Sequence, residues 1–515
     1  MIKQESGQFA YTYINANMHT PLAVYKGINA HFLLESASLE NGKGRYSIIV
    51  RNVNFGLQKC YKDSKTLYTF ETYLNNSPKC NDTSYNLSKL ESYETLPPLL
   101  MRLKDSIISI QKDSIHNKKG LQHDFDFLEL AGLFRLSLPK IPKILESLPL
   151  PIGGLGFVCY EFFSECEKVE FQQKSLYDAP EALLIFPQEC VIFDHFYDSM
   201  YLIVNTLNDE ASDILTKLKA DIMSLQSTKT SMLIDGYEKL ESNIVYEDSQ
   251  EWYETNVAHI KNEIYKGTFL QCVLSRAVAI KSNMNPLYFY ETLRHNNPSP
   301  YMYYLDFGAF SIIGASPEVM VQCKDNMQIL RPIAGTRKRG ATKQEDRILE
   351  KELLTDEKEN AEHLMLVDLG RNDIGRNAKI GSVKVNAFKV VERYSNVMHI
   401  VSEVCGVIAD DKDANDCFKA CFPAGTVSGA PKIEAITKLT HYETHKRSIY
   451  SGAILYFNHN GELDSAITLR SAIMQNGIYY LQAGAGIVID SDPTSEYLET
   501  CNKMKALYDI LIPKE

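Results

Sequence analysis

The chain has 515 residues, 44% hydrophobic and 23% charged, which is the composition of a globular protein long enough for one large domain or two ordinary ones. Its formal net charge of −11 argues against a general nucleic-acid binder, because neutralising phosphates needs a basic face, and any anionic substrate must therefore be met by local cations, from arginine or a metal. The eleven cysteines form no CxxC pair, no run approaches the length of a membrane span, and "MIKQESGQFAYTY" has no apolar signal core, so a reduced, cytoplasmic protein with no membrane partner is expected.

Along the chain, "RYSIIV", "EALLIF", "CVIFD" and "MYLIV" read as strands of an N-terminal region spanning 1–240. Gly153, Gly154 and Gly156 in "PIGGLGFVCYEF" make a flexible entry into a buried strand, without the full dinucleotide fingerprint. The polar stretch 224–243 is the linker candidate, followed by a second region at 245–515. There, Trp252, Val257, Ile260 and Ile264 recur at helical spacing and Gly267 ends the helix; "TFLQCVLSRAVAI" follows as a strand. Short β-rich runs then alternate with helices, which suits a mixed α/β or an α+β domain; spacing alone leaves that choice open.

Two helices each carry a pair of glutamates three residues apart: Glu359 with Glu362, and Glu496 with Glu499. The spacing sets both carboxylates of a pair on one helical face. Two such faces converging suit Mg²⁺, which takes one or two protein oxygens and keeps its waters, leaving the other glutamates for proton transfer. The turns "QAGAGIVIDSDPTSE" and "FPAGTVSGAPK" expose backbone N–H groups able to meet an anion, although neither is a Walker loop. In the first, the expected order is strand, Gly484–Ala485–Gly486, strand, then Thr494 or Ser495 as helix cap. Arg470 reads as a strand residue needing a carboxylate partner, and His399 as a histidine in an apolar strand. Arg337, Lys338 and Arg339 in "RPIAGTRKRG" read as a solvated turn. No Gly-x-Cys-x-Gly elbow occurs, so the use of amide nitrogen would require a glutaminase on another chain.

Taken together, "RPIAGTRKRG", "ENAEHLMLVDLGRNDIGR", "VERYSNVMHIVSEV", "FPAGTVSGAPK", "YSGAILYF", "AITLRSAI" and "LQAGAGIVIDSDPTSEYLETCNK" resemble the chorismate-utilising enzymes, and among them the anthranilate synthase component I family. "HFLLESA" and "GRYSII" near the N-terminus extend the resemblance over nearly the whole chain. It implies an α+β fold of two large, mainly antiparallel sheets packed face to face with helices outside. It implies conversion of chorismate and ammonia to anthranilate and pyruvate with Mg²⁺, the ammonia coming from a glutamine amidotransferase subunit. By position, Glu362 and Glu499 resemble the metal ligands, and Glu359 the acid that protonates the departing C4 hydroxyl. His399 resembles the residue tied to pyruvate elimination, with Glu496 a second proton-transfer candidate. Gly335, Thr336, Tyr450, Arg470, Gly484, Ala485 and Gly486 resemble the chorismate contacts. Ser36, Pro300, Tyr301 and Met302 resemble a tryptophan effector pocket, although "LLES" taken alone reads as an edge strand.

Sister activities are separated by two positions. Isochorismate and salicylate synthases place a lysine base where this chain has Gln271, and aminodeoxychorismate synthase a lysine nucleophile where it has Ala334. Thr268 stands where the family usually has an acidic residue. A regulatory binding protein on an inactive scaffold would have lost the ligand residues, and all of them are present.

Overall fold

In a computed structural model, residues 3–17, 19–36, 44–62, 65–73, 81–93, 95–117, 127–225, 240–393 and 397–513 are described. Two antiparallel sheets, of 13 and 12 strands among these residues, form its frame. Their facing sides interdigitate: Phe32, Ile48, Tyr303, Leu305, Ile312 and Ile473 of the first sheet meet Leu155, Phe157, Ile185 and Ile454 of the second. This alternation of buried side chains is what a sandwich interior demands. Helices cover the outer faces. Ala211–Ser224, Pro286–Asn296 and Pro493–Leu511 lie on the first sheet, and Phe127–Leu136 and Ala414–Cys421 on the second. The expected α+β sandwich is therefore the observed fold.

Both sheets draw strands from either side of residue 240. Phe32–Glu35 lies between Tyr46–Val50 and Tyr301–Asp306, so it is an interior strand and not the edge that "LLES" suggests by itself. Leu155–Val158 pairs with Ala453–Phe457. Most of the expected linker, residues 226–239, lies outside the described residues.

Among the segments that cross from one sheet to the other are two that come after residue 310. Ser311–Ser316 of the first continues through Pro317 and Glu318 into Val319–Lys324 of the second. Leu463–Ile467 of the second returns through Thr468–Arg470 to Ser471–Gln475 of the first. The crossings lie side by side: Ser316 Oγ donates to Ile467 O at 2.6 Å, and Ile467 N to Glu318 O at 3.0 Å.

The buried Arg447 guanidinium donates to Glu443 Oε1 at 2.7 Å, Val273 O at 2.5 Å and Val427 O at 2.5 Å. Glu443 in turn accepts from the Ser275 amide and hydroxyl at 2.9 and 2.7 Å. One ion pair thus ties a central strand, the 425–428 loop and the turn that carries Tyr450. Removing one partner of a buried pair strands the other charge, so Arg447→Leu is expected to cost about 3–5 kcal/mol. Urea unfolding followed by circular dichroism measures this; a loss below about 1 kcal/mol, the scale of a surface pair, would show that the tie is not structural.

Candidate active site

The floor of the site is the antiparallel pair Gln271–Ser282 and Ile478–Ile487, with Ser275 opposite Gly484 and Val273 opposite Gly486. The glycines are not a break between two strands, as expected from sequence, but lie inside one continuous strand. Their role is clearance. A Cβ on Gly486 would sit 2.5 Å from Gln271 Nε2, and one on Gly484 would sit 2.8 Å from Leu274 O and 3.2 Å from the Tyr450 hydroxyl. Ala485, between them, points into the core beneath.

Two helices bring the glutamate pairs together. Glu357–Gly375 starts at Asp356, whose side chain accepts from Glu359 N at 3.0 Å. Pro493–Leu511 is capped by Asp492, which accepts from Ser495 N at 2.9 Å; neither Thr494 nor Ser495 is the cap. Gln271 Nε2 donates to Glu362 Oε1 at 3.4 Å, linking helix to floor. Burial first, then the Glu359 and Glu499 carboxylates, hold the Glu362 carboxyl above its usual range. Glu496 is buried and raised chiefly by that burial, with Glu499 adding to it. Lys503, one turn beyond Glu499, bonds Glu499 Oε1 and Gly484 O, each at 2.8 Å.

No preformed cluster of three metal-binding side chains occurs among the described residues. Mg²⁺ requires fewer: one or two carboxylates suffice. The like-charge crowding around Glu362 is what a dication would relieve, and the all-oxygen donor set suits a hard cation. The residues therefore fit the metal.

The opposite wall comes from the second sheet. "PIAGT" is not a turn: Ile333–Lys338 is a strand, irregular between Ala334 and Thr336, paired with Val397–Val407. Gly335 takes φ +73°, and a Cβ there would lie 3.2 Å from Glu359 Oε2. Arg337 is not a solvated residue either. It pairs with Glu352, Asp356 and Glu359 at 2.9, 2.8 and 3.0 Å, clamping the strand to the helix. Glu359 thus has a guanidinium partner, with the Glu362 carboxylate also close to it. Arg339, partly exposed, pairs with the buried Asp346.

His399 Nδ1 lies 3.1 Å from Gly335 O and 3.0 Å from Thr336 Oγ1. Since a carbonyl only accepts, Nδ1 carries the proton and Nε2 is left as the acceptor. Burial lowers its pKa to about 4 and the Arg470 charge adds to this, so the ring is neutral at pH 7. Arg470 is not a strand residue. It stands at the crossing between the sheets with φ +47°, its carbonyl held by Ala315 N at 3.1 Å. A left-handed non-glycine residue costs on the order of 1–3 kcal/mol, which the flanking strands sustain.

Three residues of this site escaped sequence reasoning. Glu318, at the other crossing, is buried; its carboxyl is pushed up to about 7 by burial, against the Thr426 hydroxyl at 2.8 Å and the Lys503 charge. Thr426 is the second. The third, Lys503, was discoverable, since it extends the Glu496–Glu499 face by one turn. Glu318 gave no signal, because a glutamate between two apolar strands resembles any loop residue.

A second concavity, a cavity of about 630 Å³, lies away from the glutamate cluster. Ser36, Pro300, Tyr301 and Met302 line it, brought together because Phe32–Glu35 and Tyr301–Asp306 are neighbouring strands with Glu35 opposite Met302.

A family model for chorismate binding enzymes matches residues 105–509. Anthranilate synthase component 1 of Acetivibrio thermocellus is 37% identical over 96% of this chain and 93% of its own. The crystal structure of anthranilate synthase component I from Streptococcus pneumoniae TIGR4 superposes with a TM-score of 0.68 at 30% identity, covering 96% of this chain and 98% of that one. The menaquinone-specific isochorismate synthase of Escherichia coli shares the fold, with a TM-score of 0.63 at 17% identity over 98% of this chain and 94% of its own. No helix among the described residues is long and apolar enough to cross a membrane, and the ten described cysteines form no disulfide with one another. With glutamate helices, glycine floor and crossing arginine arranged in that frame, the chain belongs to the chorismate binding enzyme family, among the anthranilate synthase component 1 proteins.

Proposed function

We propose that this chain converts chorismate and ammonia to anthranilate and pyruvate in the cytoplasm, Mg²⁺-dependently, with a glutamine amidotransferase subunit supplying ammonia. The observation that carries the reading is the crowding of carboxylates beside the glycine floor, where Gln271 links Glu362 to the floor strand. The Arg470 charge acts on His399 of the facing wall, and this pairing of cation and carboxylates suits a substrate with two carboxylates once a dication is bound. Glu362 and Glu499 would hold Mg²⁺, which when bound supplies the positive charge that meets the ring carboxylate. Arg470 and Tyr450 orient the enolpyruvyl end; the Gly484–Gly486 strand, Gly335 and Thr336 seat the ring.

Ammonia attacks C2 directly, because Ala334 offers no amine and Gln271 cannot deprotonate water. The C4 hydroxyl is a poor leaving group and departs as water only when protonated. Glu318, with its pKa near 7, is the carboxyl suited to deliver that proton, in place of Glu359. Glu359 and its Arg337 partner position the Thr336 strand. The neutral His399 accepts the C2 proton at Nε2 as the bond from C3 to the enolpyruvyl oxygen breaks and the ring becomes aromatic, and the released enolpyruvate takes a proton from solvent at its methylene carbon to become pyruvate. Glu496 remains a proton-transfer candidate beside the metal ligands. Tryptophan binds the second cavity through Ser36, Pro300, Tyr301 and Met302 and inhibits by favouring a less active conformation.

Purified chain with chorismate, Mg²⁺ and ammonium should form anthranilate, read by its fluorescence, whereas glutamine alone should not support it. EDTA should abolish turnover, as should Glu362→Ala or Glu499→Ala; full activity in either variant breaks the ligand assignment, and glutamate release from glutamine breaks the partner assignment.

Glu318→Gln keeps the shape and removes the proton, so kcat should fall about 10²–10⁴-fold with KM little changed. Arg339→Ala should leave turnover near wild type. Wild-type kcat in Glu318→Gln would return the acid role to Glu359.

Ser36→Phe should relieve tryptophan inhibition while turnover without tryptophan persists. Undiminished inhibition in that variant, measured as the tryptophan concentration halving the rate, would remove the cavity from the regulatory reading.

A further inference from the structure

We propose that Asp464 is the counter-ion for the α-ammonium group of the aromatic amino acid bound in the second cavity, an assignment that rests on the effector reading above. Asp464 lines that cavity from the strand Leu463–Ile467. Its carboxylate accepts from Gln322 Nε2 at 3.0 Å, the Tyr301 hydroxyl at 3.1 Å and the Tyr456 hydroxyl at 3.4 Å. Every one of these donors is neutral. Glu35, another carboxylate on the cavity wall, is already neutralised: Arg294 Nε lies 2.7 Å from it, and the Tyr290 hydroxyl donates at 2.7 Å. Burial raises the Asp464 pKa, and the three side-chain donors oppose that shift without supplying a positive charge.

A desolvated carboxylate held only by neutral donors is satisfied in hydrogen bonds and uncompensated in charge. An ammonium group arriving in the cavity supplies what is missing. The rest of the wall fits the remainder of such a ligand. Leu34, Ile48, Pro300, Met302 and Tyr456 offer apolar and aromatic surface for a ring. Arg331 also lines the cavity but is already paired, its Nη2 with Glu392 and its Nε 4.0 Å from Glu403. Asp464 is therefore the charged group that selects the ligand, and neither an uncharged indole nor a simple aromatic acid offers it an ammonium.

The test is calorimetric titration of the full chain with L-tryptophan and with indole-3-propionate, which keeps ring and carboxylate and lacks the amine. Wild-type protein should prefer tryptophan by about tenfold or more, the scale of one charge-assisted contact. Asp464→Asn should lose that preference, with tryptophan binding weakened to the level of indole-3-propionate and the latter little changed. Equal wild-type affinity for the two ligands overturns the assignment without any variant, so a folding defect in Asp464→Asn cannot protect it. Retention of full tryptophan affinity by a folded Asp464→Asn also overturns it. A distinct outcome, wild-type protein that binds indole-3-propionate but no tryptophan, overturns the effector reading itself and the assignment with it.

Discussion

The active site depends on one buried guanidinium. Arg447 is almost without solvent, and its charge is compensated by Glu443 and by two backbone carbonyls on separate segments, Val273 and Val427. Those segments are the floor strand and the loop that presents Thr426. The residues between Arg447 and Tyr450 are few, and Tyr450 N donates back to Arg447 O at 3.1 Å. A charge buried this deeply holds its partners in one geometry, because any slack exposes an unpaired ion to an apolar interior. Floor, loop and Tyr450 are therefore positioned together.

Around that anchor, two of the sheet crossings carry groups of the proposed chemistry. Regular strands leave little freedom in side-chain direction, since alternate residues face core and solvent. A crossing releases that restriction. Glu318 and Arg470, the acid and the cation of the proposed reaction, each stand at one, and hydrogen bonds between Ser316, Ile467 and Glu318 couple the two. The same strands run back to the second cavity, where Gln322 and Asp464 face each other in register. A shift at Asp464 is thus only a few residues of paired backbone from both active-site groups, a physical route for regulation that requires no long chain of contacts.

The acidity of the protein and the charge of its substrate are reconciled locally. Glu362, Glu496 and Glu499 would repel a dianion, and burial first, then neighbouring carboxylates, raises Glu362 and Glu496. Mg²⁺ is the counterweight in the proposed mechanism, with Lys503 beside Glu499 and the Arg470 charge acting on His399. Gly335 and Gly486 keep the walls close enough for these groups to act on one small molecule.

Much of this was legible in the residues. Strand and helix periodicity located "RYSIIV", "EALLIF" and the Trp252 helix, and the two ExxE faces marked helices whose carboxylates the fold brings close together. The motif set pointed to the family. What single segments could not express was their surroundings. Arg337 reads as a basic surface residue until Glu352, Asp356 and Glu359 are folded against it. Gly484–Gly486 reads as a turn because the reason for its glycines, the approach of Gln271 and Tyr450, comes from residues hundreds and tens of positions away. Glu318 is an ordinary loop acid until burial pushes its proton affinity up. The sequence by itself determined local periodicity, residue chemistry and family, because these depend on neighbours along the chain; tertiary structure alone decided which carboxyl holds a proton and which is paired, because desolvation and charge contact depend on neighbours in space.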